Sequence, residues 1–431
     1  MKHLIAVLLV AVVTAGSAIG ATGPAAAPHR TGTPLAPGRI PDGLVAALWR
    51  VLEGERLARY DLPRPGPRDV AVTPAQGFHI AFSRPGLRLA PIGTAASAVS
   101  INPWAQQARL TSGDAAGGDT AGLSVAVSGD TAVIGAPGKN GSTGAAYVYV
   151  CSGTRWSQQA RLTASDGVAG DQFGFSVALS GDTAVVGAPF KNAQTGAAYV
   201  FVRRGTGWHQ QARLIAGADA GGDWFGASVA LSGSTAVVGA PQKNSNAGTA
   251  YVFVRSRSGW RQQAVLAAGD AAAGDDFGFS VALSGDSALV GAPQKRSSSR
   301  AAYVFVRHGT GWHQQVRLAA GDAAANDELG TAVALRGSTA LVGAPGKDSG
   351  SGAAYVFVQS GAGWLQQARL SASDSAAGDR FGFSLALSGS AAVVGAPQKD
   401  GGTGAAYVFV RRGTGWLPQV KLRASDGAGG D

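Results

Sequence analysis

Large apolar side chains alternate with small or polar ones through much of the chain. In the segment that begins at Phe173, the large residues occupy every second position, and glycine, serine or alanine stands between them. A period of two is typical of a β-strand whose two faces meet different neighbours. Three more short segments follow before residue 223, beginning at Thr183, Ala197 and Trp208, and Gly, Asp and Pro separate them. The pattern predicts four consecutive short strands, the last with the polar side chains of a solvent-exposed edge.

This group of four strands recurs at intervals of 52 residues. The tripeptide Gly-Ala-Pro keeps a fixed register, beginning at Gly135, Gly187, Gly239, Gly291, Gly343 and Gly395. Seven tryptophans keep the same interval: Trp104, Trp156, Trp208, Trp260, Trp312, Trp364 and Trp416. A propeller blade takes about 40 to 50 residues. We therefore predict an all-β fold, a β-propeller of four-stranded antiparallel blades, with a linear β-solenoid as the alternative.

The repeated phrase resembles a known family. The pattern D-x-F-G-x-S-V-A-L, followed by V-V-G-A-P, runs from Phe173-Gly174 to Gly187-Ala188-Pro189. It returns with small variations from Phe225, Phe277 and Phe381, and more weakly at Ala121-Gly122 and Leu329-Gly330. Residues 101–431 thereby resemble the FG-GAP repeats of integrin α-subunit heads and of many exported bacterial proteins. The resemblance implies a seven-bladed propeller.

The segments before the repeats have other compositions. Residues 1–20 are expected to form a signal peptide, because Lys2 and His3 precede an apolar run too short to span a bilayer of about 30 Å. Residues 21–40, rich in Pro, Ala and Gly, predict a linker, and the apolar spacing over residues 41–65 predicts an amphipathic helix. We expect a secreted protein, extracellular, periplasmic or at the cell surface, without a transmembrane segment in the mature chain.

The number of blades depends on how the ring closes. Units that begin at Asp119 supply six blades over residues 119–431. Residues 66–118 are interpreted as a divergent N-terminal blade, which would give the family's seven. The alternatives are a six-bladed ring with an N-terminal cap, or an array that continues beyond Asp431.

Two sets of turn residues are candidates for a ligand-binding rim, because up-and-down topology places their turns on one face. The lysines follow Gly-Ala-Pro in the turn from the second to the third strand: Lys139, Lys191, Lys243, Lys295, Lys347 and Lys399. The aspartates stand in the turn between blades: Asp119, Asp171, Asp223, Asp275, Asp327 and Asp379. Solvation and turn capping explain the same residues without a ligand. Partner binding at this face is what the integrin resemblance implies.

The opposite face carries Asp130, Asp182 and Asp286, with Arg203 and Arg411 nearby. The integrin relatives hold an acidic calcium loop at this turn. Here each turn offers one carboxylate at most, whereas Ca²⁺ takes about six to eight oxygen ligands. We therefore expect no metal at these turns and no cofactor.

Catalytic signals are weak. His209 and His313 follow repeat tryptophans on the outer strand, where they are interpreted as exposed substituents. Identical residues in every sector do not build a single reactive centre, so the protein is expected not to be an enzyme. The alternative is an exported carbohydrate-active hydrolase or lyase, whose site would need divergent residues such as His79, within residues 70–100, or Trp224.

Composition and charge limit the classes of binding partner that are expected. The net charge of +10 favours acidic surfaces, and acidic polymers are one such class. Arginines such as Arg161, Arg213 and Arg369 are distributed around the outer rim, and export argues against nucleic acid. Cys151, the one cysteine, is expected to be a surface thiol. We expect a monomeric protein- or glycan-binding adhesion module, with a structural cell-envelope protein as a further alternative.

Overall fold

A computed structural model shows how the repeats fold. It describes residues 69–73, 78–83, 86–91, 99–101, 104, 106–217, 221–294, 301–361 and 363–429. The predicted signal peptide, linker and amphipathic helix all precede residue 69 and lie outside the described residues. In the part of the chain that the structure describes, no helix is long and apolar enough to span a membrane.

Each of the six repeats forms one four-stranded antiparallel sheet. The first strands are β5 (Val125–Ser128), β9 (Ser176–Ser180), β13 (Ser228–Ser232), β17 (Ser280–Ser284), β21 (Val333–Arg336) and β25 (Ser384–Ser388). The second strands are β6 (Thr131–Ala136), β10 (Thr183–Ala188), β14 (Thr235–Ala240), β18 (Ser287–Ala292), β22 (Thr339–Ala344) and β26 (Ala391–Ala396).

The third strands are β7 (Ala145–Ser152), β11 (Ala197–Arg204), β15 (Thr249–Ser256), β19 (Ala301–His308), β23 (Ala353–Ser360) and β27 (Ala405–Arg412). The fourth strands are β8 (Arg155–Leu162), β12 (Gly207–Leu214), β16 (Gly259–Leu266), β20 (Gly311–Leu318), β24 (Gly363–Leu370) and β28 (Gly415–Leu422). Strands pair in chain order within every sheet, and the first strands of consecutive blades contact each other. The sheets are therefore the blades of a propeller, with the first strand innermost.

The hydrophobic core lies between neighbouring blades. Phe173, at the start of the second blade, is fully buried and packs edge-to-face against Tyr199 and Phe201, with ring centroids 5.5 and 5.8 Å apart. Val133 and Val148 of the first blade close the same cluster. Each blade thus buries one face of its sheet against the next, and the alternation of large and small residues provides the fit.

The repeat tryptophans link the outer strands. The indole N–H of Trp208 donates to Gln159 of the preceding blade over 2.9 Å, and Trp312 and Gln263 make the same bond over 3.0 Å. Equivalent bonds hold Trp156, Trp260, Trp364 and Trp416. The period of 52 residues therefore marks a contact that is repeated around the ring.

The two ends of the repeat array meet at the outer rim. Between consecutive blades, the Ser165 backbone N–H donates to the Gln210 side chain over 3.0 Å. At the junction, the Ser425 N–H donates to Gln106 over 3.1 Å, and Gln106 has the repeat phase of Gln210. The segment at residues 106–112 thus takes the place of an outer strand between the sixth blade and the first.

The structure describes six complete blades in the ring, which matches the six-bladed alternative of the sequence prediction. A seventh four-stranded sheet consists of β1 (Asp69–Thr73), β2 (Phe78–Ser83), β3 (Gly86–Pro91) and β4 (Val99–Ile101). These strands belong to a second compact unit, separate from the unit that contains residues 106–431. The assignment of residues 66–118 to a seventh blade stays a prediction.

Candidate functional site

Both sets of turns lie on one face of the ring, which we call the turn face. In five of the second-to-third turns that the structure describes, a four-residue turn has positive φ angles at its two middle residues: Lys139–Ser142, Lys191–Gln194, Lys243–Asn246, Lys347–Gly350 and Lys399–Gly402. In four of these turns, the last residue accepts a hydrogen bond from the next blade. The backbone N–H of Trp224 donates to Gln194 O over 2.9 Å, and that of Asp276 donates to Asn246 O over 2.8 Å. Each of these contacts between blades is a seam of the turn face.

The turn lysines and aspartates form buried ion pairs within each blade, next to the seams. Lys191 Nζ lies 2.9 Å from Asp171 Oδ2, and both side chains are almost completely buried. The same lysine donates to the carbonyl oxygen of Asp166. The pairs Lys139–Asp119, Lys347–Asp327 and Lys399–Asp379 have the same geometry, and Lys243 pairs with Asp223 over 2.6 Å. Each lysine thereby ties its own turn to the loop that begins its blade.

A tyrosine completes this network. The Tyr199 hydroxyl donates to Asp166 over 2.7 Å, and burial together with this bond raises the pKa of the tyrosine. In the sixth blade, Asp374 accepts hydrogen bonds from Lys421 and Tyr407, and both lower the pKa of Asp374 to about 2. The pKa values of both carboxyl groups are lowered, so both are ionised, and their partners belong to the following repeat.

The candidate rim is thus brought together, but with its charged groups turned inward. The six aspartates are buried, and so are Lys139, Lys191, Lys347 and Lys399. Lys295 lies outside the described residues. A ligand-binding role for these twelve residues stays a prediction, because their charges already neutralise one another at each described pair.

The repeats differ at other positions on the turn face, of which only Trp224 was a candidate from the sequence. The residue after each blade-start aspartate is different in every blade: Thr120, Gln172, Trp224, Asp276, Glu328 and Arg380. All six have positive φ angles between 51° and 58°. The same backbone conformation therefore presents six different side chains, and none of the six is fully buried. Only disagreement among the repeats could reveal this set from sequence.

Two further positions at the seams also vary. The residue after Gly-Ala-Pro is Gly138, Phe190, Gln242, Gln294, Gly346 or Gln398. The residue after each Phe-Gly or equivalent pair is Leu123, Phe175, Ala227, Phe279, Thr331 or Phe383. We call these twelve residues, together with the six named above, the variable set. Its members Leu123, Phe279, Gln294 and Gln398 are exposed.

Charged members of the variable set differ in their surroundings. Glu328 accepts a hydrogen bond from Arg380, in the next blade, over 2.7 Å. Asp276 Oδ1 is buried without a hydrogen-bonding partner among the described residues. Burial, and secondarily the adjacent Asp275, raises the pKa of Asp276 to about 6. Asp276 and Glu328, at the same position of consecutive blades, thus differ in their electrostatic surroundings.

The opposite face shows ordinary ion pairs. Arg203 Nε donates to Asp182 over 2.6 Å, and Arg307 Nε donates to Asp286 over 2.7 Å. Within the residues that the structure describes, no group of three or more His, Cys, Asp and Glu side chains is arranged to hold a metal ion. His209 is exposed, and Cys151 is a half-buried free thiol. The expectation of no calcium at these turns stays a prediction.

Comparisons with known proteins fit this architecture. No curated protein sequence is significantly similar to the chain. A solved protein from Lactobacillus plantarum is 14% identical, with a TM-score of 0.50 over 81% of this chain and 93% of that one. Hydrazine synthase of Kuenenia stuttgartiensis is 14% identical, with a TM-score of 0.47 over 67% of this chain and 76% of that chain. At this identity the first likeness shows the fold alone.

A family model gives a more specific result. The model described as FG-GAP repeat matches residues 104–149, 156–201, 208–253, 260–305, 312–357 and 364–409. These stretches have the same 52-residue phase as the sheets and together cover more than half of the chain. The chain belongs to the FG-GAP repeat family.

Proposed function

We propose that this protein is an exported, non-catalytic binding module that engages a protein or glycan ligand through its turn face. The observation that carries the proposal is the variable set. Six nearly identical blades present Thr120, Gln172, Trp224, Asp276, Glu328 and Arg380 from one backbone position. A scaffold that repeats while one face varies is suited to recognising a ligand that does not repeat.

The buried ion pairs support the same proposal. Because Lys191 forms a buried ion pair with Asp171, the turn is tied to the start of its own blade. A recognition surface on tied turns loses less conformational entropy when a ligand binds. Export is supported by the signal-like pattern of residues 1–20, and an adhesive role by the resemblance to integrin α-subunit heads.

A binding role is favoured over the carbohydrate-active alternative by the state of the acids. Glycoside hydrolysis generally uses two carboxylates, one as acid and one as base or nucleophile. Glu328 is held by Arg380, which leaves Asp276 as the acidic member of the variable set without a charged partner among the described groups.

The test is to block one face at a time. In a Cys151→Ser background, Gln294→Cys places a thiol on the turn face and Ser234→Cys places one on the opposite face; both positions are exposed. Each variant is coupled to a large polyethylene glycol maleimide and applied to a protein and glycan array.

We expect the modified Gln294→Cys variant to lose the wild-type array signals and the modified Ser234→Cys variant to keep them. Loss only on the Ser234 side would overturn the assignment of the turn face. Turnover of a polysaccharide panel by the wild type would replace the binding module with the enzyme.

A further inference from the structure

One seam of the turn face differs from the others in carrying three aromatic rings. At the junction of the second and third blades, Phe175 and Phe190 lie 6.0 Å apart and Phe190 and Trp224 lie 5.1 Å apart, measured between ring centroids. The corresponding residues one repeat later are Ala227, Gln242 and Asp276. The cluster is therefore not required by the fold of a blade.

The three rings are also not part of the core. All are half-buried, and none belongs to the buried clusters between blades. The Trp224 indole N–H donates to Gln194 Oε1 over 3.1 Å, and the Trp224 backbone is held by the same residue. This fixes the orientation of the indole and occupies its one polar group. What remains available to a ligand is apolar ring surface in a defined position.

Hydrogen-bonding groups lie at the next seam. Gln242 and Asp276 have the same separation in sequence as Phe190 and Trp224, which are in contact. Side chains at the position of Trp224 can meet across consecutive blades, as the 2.7 Å bond from Arg380 to Glu328 of the preceding blade shows. Trp224 and Asp276 are likewise one repeat apart, on consecutive blades.

The chemistry of this surface selects a class of ligand. A pyranose ring has an apolar C–H face, which packs on aromatic rings, and a rim of hydroxyl groups, which need donors and acceptors. Lys191 and Lys243, next to these two seams, form ion pairs with Asp171 and Asp223. Because the charges of these lysines are neutralised, they do not favour an anionic sugar over a neutral one. Asp276, which is half-buried, contributes a carboxyl group that can accept a hydrogen bond from a hydroxyl.

We propose that the seams formed by Phe190, Trp224, Gln242 and Asp276 bind a neutral pyranose residue of a glycan. Phe190 and Trp224 lie beneath the C–H face of the sugar, and Gln242 and Asp276 bind its hydroxyl groups. The assignment rests on the proposed function of the turn face and names its ligand class.

The test is calorimetric titration of the full-length mature protein with neutral oligosaccharides of glucose, mannose, xylose and N-acetylglucosamine. Trp224→Gln introduces the residue that the preceding repeat carries at this position, so the blade is expected to fold normally, as circular dichroism and the melting temperature check. We expect this variant to bind the best oligosaccharide about tenfold more weakly, as loss of an aromatic contact predicts.

The matched control is Gln172→Ala, at the same backbone position one blade earlier, which should leave the affinity unchanged. Equal affinities of the two variants would overturn the aromatic site. If the protein binds no neutral oligosaccharide, and Trp224→Gln abolishes the binding of a protein ligand, the glycan assignment is overturned. The proposed binding module then still stands. If blocking the turn face removes none of the array signals, the proposed function itself is rejected.

Discussion

At the scale of single residues, the sequence identified which groups come together but not how they are oriented. The regular spacing of Lys191 and Asp171 correctly placed both in turns of one face, yet both side chains are buried. Periodicity records that a residue is needed in every blade, and a structural bond repeated in every blade produces the same signal as a repeated ligand contact. The variable set carries the opposite signal, since Trp224 and Asp276 stand where no residue type recurs.

Asp276 makes a pH-dependent contribution to stability. Its pKa is raised from the ordinary 3.8 to about 6 in the folded state, so the folded protein binds this proton more tightly than the unfolded chain. Ionisation of Asp276 therefore lowers the free energy of unfolding. This loss of stability is absent below about pH 4 and fully present above about pH 6. We expect Asp276→Asn to have a higher melting temperature than the wild type at pH 7 and the same one at pH 3.5.

Gln172→Asn is the control for Asp276→Asn, because it changes the same backbone position without removing a carboxyl group. Its difference from the wild type should not vary with pH. The melting temperatures are measured by thermal unfolding at both pH values. An equal difference in melting temperature between Asp276→Asn and the wild type at pH 3.5 and pH 7 would contradict the assignment of the titration to Asp276.

At the scale of elements, the strands were predictable because the alternation and the turn residues agree. The segments predicted from Phe173, Thr183, Ala197 and Trp208 correspond to β9, β10, β11 and β12. The register shift between Val200 and Phe201, where β11 pairs with β12, was not predictable, because it arises from the fit of two strands rather than from either one alone. The second strand also contains a glycine whose role only the packing of blades explains.

Gly187 of β10 is packed directly against the next blade. A Cβ added here would overlap the Gly226 carbonyl oxygen and the Ser176 hydroxyl. The equivalent Gly395, in the sixth blade, has only atoms of Ser384, in its own blade, as its nearest neighbours. We expect Gly187→Ala to destabilise the protein by about 3 kcal/mol, in the upper range for overpacking, and Gly395→Ala to cost clearly less.

Chemical denaturation of the two glycine variants, followed by tryptophan fluorescence, measures this difference. The substitutions are chemically identical and fall on the same strand position, so they separate contact with a following blade from any intrinsic effect of alanine. Equal losses of stability for the two variants would show that Gly395 also faces the backbone of a neighbouring sheet.

At the scale of the whole molecule, the number of blades was the least accessible property. The count of six repeats follows from the sequence, but the closure of the ring depends on contacts between residues more than 300 positions apart, such as Gln106 with Ser425. The Arg109–Asp426 ion pair repeats the relation of Arg213 to Asp166. Both contacts at the junction join residues at the same repeat positions as the contacts between internal blades. No property of a single repeat predicts this equivalence.

This junction is expected to control the stability of the terminal blades. In a repeat protein, stability is close to a sum over units and their nearest-neighbour interfaces. Removing residues 423–431 deletes the rim contacts of Ser425 and Asp426 and leaves β28 complete. Hydrogen exchange should then become faster in β5–β8 and β25–β28 and stay unchanged in β13–β20, since local opening is limited by the interfaces that remain.

The control for this deletion is Asp426→Ala in the full chain. Its ion pair with Arg109 is largely exposed, and such pairs contribute about 0 to 1 kcal/mol. The single substitution should therefore leave exchange nearly unchanged, whereas the deletion also removes the Ser425 bond and the adjoining loop. Faster exchange in all six blades at once would mean that the ring unfolds as one cooperative unit, and unchanged exchange throughout would mean that the junction at Gln106 does not hold the terminal blades.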